Sequence, residues 1–130
     1  MKKAEAHKYG FEKLNVWQDS RKLVTQVYKI TAKFPKAETY SLIDQIRRAA
    51  ISIPANLAEG TSRATSREQA RFTSISYSSL MELLSHFYLA MDLQYIESGT
   101  FDALKDDVLK ISYQLNALRK AQLCSGALRR

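Results

Sequence analysis

Cysteine is almost missing from this chain: Cys124 is the only one in 130 residues. No internal disulfide framework can form, and a reducing, cytoplasmic setting is expected. Glycine and proline are nearly as scarce, at four and two residues. A β-sandwich needs a turn every ~8–12 residues, so this composition points instead to a few long helices. No apolar run approaches the ~18 residues of a membrane span, so no membrane partner is expected. Behind Lys2 and Lys3 there is no apolar segment of the kind a secretory signal carries.

Chemistry-bearing motifs are missing too. The chain has no glycine-rich phosphate loop, nucleophile elbow or dinucleotide fingerprint, so neither an enzyme nor a cofactor is expected. A carboxylate-bridged metal bundle needs Glu-x-x-His pairs from two helices together with further inward carboxylates. Here Glu82 and His86 stand four apart and occur once, while His7 belongs to the N-terminal arm. No metal site is expected. A cysteine nucleophile needs a histidine and an orienting group near it in space, and Cys124, in the frayed tail, reads as an incidental thiol.

What is present is helical periodicity. Residues 16–34 carry Trp17, Val24, Val27, Tyr28, Ile30 and Phe34 at helical intervals, with Asn15 placed to cap the start and Pro35 to end the helix. A second helix is expected over residues 40–59, with Leu42, Ile43, Ile46, Ala50, Ile53 and Leu57 on one side. Gly60 then takes the position of a terminating glycine. Inside that helix Pro54 cannot donate to the Ala50 carbonyl and should kink it, with Asn56 and Ser52 placed to satisfy the freed backbone. Ser66 followed by Gln69 reads as a capping box opening a third helix, over residues 66–94. Apolar residues fill 13 of the 22 positions from 72 to 93. One core-facing stripe needs only about nine, so a second buried face and self-association are expected. Ser98-Gly99-Thr100 interrupts the pattern. A fourth helix over residues 101–122 follows, with Leu104, Val108, Ile111, Leu115 and Leu118 forming a heptad-like seam.

Short connections join antiparallel neighbours, so residues 1–130 read as a single all-α domain: an antiparallel, up-down-up-down four-helix bundle. Residues 1–13 form a polar N-terminal arm and residues 123–130 a frayed basic tail. Glu82 sits inside Leu80-Met81-Glu82-Leu83-Leu84, where a lone buried charge is costly. An ion pair with Arg47, or failing that with Arg48, is the structural reading and fixes helix register.

The net charge of +7 makes an acidic partner the first consideration, nucleic acid ahead of anionic lipid. In an up-down bundle residues 1–22, 55–75 and 112–130 gather at one end and sum to +8, while the rest of the chain sums to −1. Complementation of a helix dipole accounts for Arg119 and Lys120. It does not account for Arg63, Arg67 and Arg71, spaced by four where the third helix begins, where like charges cost some tenths of a kcal/mol each. A solvated basic face is the bland reading. The functional one is RNA or DNA held at Arg63, Arg67, Arg71, Arg119 and Lys120 through phosphates, with low sequence specificity. A protein-interaction scaffold is the alternative.

Several stretches together resemble a known family: Phe11-Glu12-Lys13-Leu14-Asn15-Val16-Trp17-Gln18, the Phe34-Pro35 stop, Gln45-Ile46-Arg47-Arg48, and Ser79-Leu80-Met81-Glu82-Leu83. The most specific is Ser52-Ile53-Pro54-Ala55-Asn56-Leu57-Ala58-Glu59-Gly60. The likeness, over roughly residues 11–120, is to the four-helix-bundle proteins encoded in intervening sequences of bacterial large-subunit ribosomal RNA genes. Ser78 stands where many relatives have glycine. The resemblance implies an antiparallel bundle assembled as a homopentamer, without established catalytic residues. It extends to accessory proteins of diversity-generating retroelements, which bind a reverse transcriptase and nucleic acid.

Overall fold

A computed structural model of the chain describes residues 9–128, with side chains to residue 125. Residues 1–8 of the expected arm, His7 among them, and Arg129 and Arg130 of the expected tail lie outside the described residues. Four helices follow one another: α1 (Asn15–Thr31), α2 (Leu42–Thr61), α3 (Ser66–Asp92) and α4 (Ser98–Leu128). Short 3-10 turns at Gly10–Lys13 and Lys36–Glu38 precede α1 and α2, and there is no strand among the described residues.

Cross-helix pairs set the directions. Between α2 and α3, Ser52 Oγ meets Ser79 Oγ at 2.8 Å, Ser76 Oγ donates to the Ile53 carbonyl at 2.9 Å, and Gly60 lies against Phe72. As one number rises the other falls, so these two helices are antiparallel. Between α3 and α4 the pairs are Thr73 with Gln122, Ser74 with Arg119 and Tyr88 with Lys105, antiparallel again. Asp19 on α1 meets Lys110 at 3.4 Å and Gln114 at 3.0 Å on α4, which closes the cycle of packed helices. The result is the up-down-up-down bundle.

The core is built from the periodic positions. Ile46, Ile53, Leu57, Leu80, Leu83, Leu104, Ile111 and Leu115 are essentially inaccessible. The seam on α4 is buried at Leu104, Val108, Ile111 and Leu115, and Leu118 packs against its edge. Helix α3 lies between α2 and α4, so it buries two faces within the chain itself. This explains most of its apolar surplus: Phe72, Ile75, Tyr77, Met81, Leu84 and Met91 are half-buried, while Tyr88, Leu89 and Leu93 stay exposed.

Helix boundaries depart from the sequence expectations for local reasons. Asn15 is the first helical residue, not the cap; Leu14 occupies that position without a side-chain cap. Residues 10–13, expected as polar arm, form a turn, and Phe11 packs edge-on against Trp17 at 4.9 Å. Helix α1 stops at Thr31, ahead of Pro35. Lys33 and Phe34 continue with tighter three-back bonds that turn the Phe34 ring into the core, 5.2 Å from Tyr95.

Gly60 does not terminate α2. The helix runs through Thr61, and Ser62 caps it at φ −86°. Gly60 is instead a close-approach residue, as a Cβ there would meet Phe72 Cβ at 2.7 Å. Pro54 lies inside α2, but Asn56 donates to the Ser52 carbonyl and hydroxyl, at 2.8 and 2.9 Å, rather than to the Ala50 carbonyl. Asn56 thereby braces the Ser52–Ser79 contact between helices.

The cap of α3 is Thr65, one residue before Ser66; its hydroxyl accepts from the Glu68 N–H at 3.1 Å. Gln69 reaches the Arg63 carbonyl at 3.0 Å instead of closing a box on Ser66. At its other end α3 closes with Gln94 at φ 65°, its N–H on the Met91 carbonyl and the Tyr95 N–H on that of Ala90. This is a Schellman closure with glutamine in the left-handed position. Ser98-Gly99-Thr100 does not break α4 but forms its first turn, where the leading N–H groups need no intrahelical partner. The tail is helical as far as Leu128, not frayed.

The Arg47–Glu82 pair does not form. The Ser52–Ser79 contact sets Glu82 at about the height of Ala49, near Arg47, so height along the bundle is not the obstacle. Rotation about the helix is. Arg47 faces α1, where its Nε donates to Thr31 Oγ1 at 2.9 Å and its guanidinium covers the Tyr28 ring at 4.3 Å. Glu82, its side chain 50% exposed, faces outward and pairs with His86 at 3.1 Å. Arg48, the fallback, pairs with Asp44 at 3.0 Å.

Candidate nucleic-acid interface

Five basic residues were expected to share one end of the bundle, and three of them line one cleft. Arg67 and Arg71 stand one turn apart at the start of α3, and Arg119 reaches them from the last third of α4; Ala70, Ser74 and Leu123 complete a cleft of about 230 Å³. The Arg119 Nε donates to Ser74 Oγ at 2.8 Å, which leaves its two terminal amino groups to accept an anion. The Arg71 guanidinium lies over the Phe72 ring, 5.9 Å from its centroid.

Among the described residues the ion pairs involve Arg48, Arg63, His86 and Lys110, and none involves Arg67, Arg71 or Arg119. Glu68, the acidic residue in the first turn of α3, does not line the cleft. Three arginine residues therefore line one cleft without an ion-pair partner among the described residues. Two of them stand at the positive end of a helix dipole, four residues apart, where local energetics disfavour them.

Arg63 departs from the expected pattern. It lies in the link ahead of α3, not on its face, because α3 starts only at Ser66. Glu59 holds it at 2.8 Å and its guanidinium covers Phe72 at 4.7 Å. Its Nε is buried without a partner. Through these contacts Arg63 fastens the end of α2 over the first turns of α3. Lys120 is exposed on α4 and does not line the cleft, since it lies one residue round the helix from Arg119. Lys2, Lys3, Lys8, Arg129 and Arg130, which enter the +8 charge of this end, lie outside the described residues.

Sequence reasoning overlooked a second cleft that adjoins the first through Ser74 and Arg119. Thr73, Tyr77, Ser78, Leu115 and Asn116 form the rest of its lining, around about 260 Å³. Nothing local marks these residues, because the cleft exists only through the register of α3 on α4. At the far end of the bundle a broader, mostly apolar groove of about 650 Å³ is lined by Tyr40, Leu42, His86, Leu89 and Leu93, together with Glu38. Among the described residues no group of three or more potential metal ligands occurs, and no helix is long and apolar enough to cross a membrane.

These features define a basic, antiparallel four-helix bundle with an arginine-lined cleft at one end. The model of the 23S rRNA-intervening sequence protein family matches residues 12–117, and the chain belongs to that family. The match ends short of Arg119, so the α4 wall of the cleft lies beyond it. The fold is similar to the crystal structure of a protein of unknown function from the S23 ribosomal protein family of Bacteroides thetaiotaomicron. The two superpose with a TM-score of 0.73 at 19% identity, over 81% of this chain and 98% of that one. No curated protein matches the chain in sequence.

Proposed function

We propose that this protein is a non-enzymatic, self-associating bundle of the cytoplasm that binds RNA or DNA through phosphate contacts at its arginine-lined end. The observation that carries this reading is the convergence of Arg67, Arg71 and Arg119 on one cleft without an acidic partner among the described residues. Unpaired guanidinium groups suit phosphate, whose oxygens they engage two at a time. The chain's net charge of +7 adds long-range attraction for a polyanion. Arg63 and Lys120 contribute field, not direct contacts.

Titration of structured RNA and duplex DNA at two salt concentrations tests the reading. Affinity should fall with salt at a log–log slope of roughly −0.7 to −0.9 per phosphate neutralised. Negligible binding of both at low salt rejects it.

A second reading, a protein-interaction scaffold, draws on the groove at the other end, where Tyr40 is 94% exposed beside Leu89 and Leu93. The same exposed apolar surface suits self-association, with five subunits the number the family resemblance implies; light scattering on the purified protein measures it. A pull-down with and without nuclease separates the readings, as a partner that survives digestion favours the scaffold.

A further inference from the structure

The cleft that holds the three arginines does not end at them. Ser74 and Arg119, hydrogen-bonded to each other across α3 and α4 at 2.8 Å, line both clefts, so the two are adjoining compartments on either side of that bridge. The first compartment is cationic. The second presents a half-buried aromatic ring, Tyr77, with Ser78 and Asn116 exposed beside it. The Tyr77 hydroxyl, the Ser78 hydroxyl and the Asn116 amide have no side-chain hydrogen-bond partner among the described residues, and Ser78 and Asn116 face solvent, so a ligand bound there would replace water at donors and acceptors already exposed. An amide carries an acceptor and two donors side by side, the pattern that matches the edge of a nucleobase.

Size narrows the ligand. Compartments of about 230 and 260 Å³ fall below the ~300–1,000 Å³ of sites for drug-sized molecules, so each suits a fragment and neither admits a duplex. In a duplex the bases are stacked and paired inside, and phosphate contacts alone reach the protein. A base can enter a compartment beside the phosphate site only when it is unpaired and splayed out. We infer that the groove between α3 and α4 binds one unpaired nucleotide of a single strand, loop or end, its phosphate on Arg67, Arg71 and Arg119 and its base against Tyr77 and Asn116. The inference rests on the phosphate-binding reading above and goes further, because it selects single-stranded over paired nucleic acid.

The test uses the full chain with two probes: a short 5′-phosphorylated oligoadenylate, and a duplex of equal length. Two variants alter the base compartment only. Asn116→Ala removes an exposed amide, and Tyr77→Leu keeps apolar bulk against the core while removing the aromatic face; thermal melts confirm that both remain folded. Each should weaken oligoadenylate binding about tenfold, within the range for losing one stacked or edge-bonded base, and leave duplex binding unchanged. Arg67→Gln with Arg71→Gln should weaken both probes. Unchanged oligoadenylate affinity in both folded base-compartment variants, or equal losses for the two probes, overturns the unpaired-nucleotide site while the phosphate reading stands. Failure of the unmodified protein to bind either probe overturns both.

Discussion

A Cβ placed on Gly60 would stand 2.7 Å from the Cβ of Phe72, nearer than two such carbons can pack. The contact draws the end of α2 onto the second turn of α3 and seats the Phe72 ring beneath the guanidinium groups of Arg63 and Arg71. The basic end is therefore built on a glycine that neither turns the chain nor ends a helix.

Gly60→Ala should consequently destabilise the fold, although alanine is the better helix former by about 1 kcal/mol. The clash is with a side-chain root that no rotamer change can move. Overpacking of this kind costs about 1–3 kcal/mol. Set against the helix gain this leaves a net loss of up to about 2 kcal/mol, so the melting temperature should fall by up to about 7 °C, and an unchanged or raised value would show that the two helices separate freely there.

Glu82 and Arg47 should behave oppositely on substitution. Glu82→Gln removes an exposed i, i+4 pair with His86 and should change stability by less than about 0.5 kcal/mol in urea denaturation. Arg47→Ala removes the hydrogen bond to Thr31 and the cover over Tyr28, and should cost about 1–2 kcal/mol. A large loss at Glu82 would mean that it has a buried partner after all.

The helix cap offers a one-residue discrimination. Thr65→Ala deletes the acceptor for the Glu68 N–H and should cost about 1 kcal/mol, whereas Ser66→Ala should be nearly neutral. Equal losses would contradict the assignment of Thr65 as the cap.

Arginine substitutions should separate binding from support. Arg67→Gln and Arg71→Gln should each reduce the magnitude of the salt slope by about 0.7–0.9 and leave stability equal or slightly higher, since each relieves repulsion at the start of α3. Arg63→Gln should lower the melting temperature through loss of its Glu59 and Phe72 contacts, with little change in slope. The slope follows from nucleic-acid titrations and stability from thermal denaturation.

At the other end Glu38 joins the turn before α2 to the α3–α4 link. Hydrogen bonds from Ser41 first, and then from Tyr95 at 2.8 Å, hold its carboxyl below the ordinary carboxylate range. A depressed carboxylate contributes stability that is present above its unfolded-state pKa and is lost as pH falls through the folded-state value. Tyr95→Phe should therefore be less stable than the unmodified protein near neutral pH, and the gap should narrow once the solution is acidified below about pH 4. Denaturation curves across that range measure it, and a gap independent of pH would show that the Glu38 charge plays no part.

Much of this was legible before any coordinates. The heptad-like run from Leu104 to Leu115 is buried where its spacing placed it, and Ile43, Ile46, Ala50, Ile53 and Leu57 of α2 face the core. Misplaced features share one cause: each depends on how one helix is rotated against another. Arg47 has the right height for Glu82 but the wrong azimuth. Gly60 looks like a terminator because its packing partner lies twelve residues away in sequence, on another helix. By residue type Ser66 is the better cap, yet the placement of α3 gives the position to Thr65.

Composition and periodicity alone determined the number, order and direction of the helices, because an apolar repeat near 3.6 residues is a local property that short links convert into antiparallel packing. They also determined that the chain carries excess positive charge. Tertiary structure decided which of those charges act together. Bringing Arg119 to Arg67 and Arg71, and Arg63 to Glu59 and Phe72, depends on contacts such as Gly60 with Phe72 and Thr73 with Gln122. Those contacts fix register and rotation between helices, which no sequence spacing records.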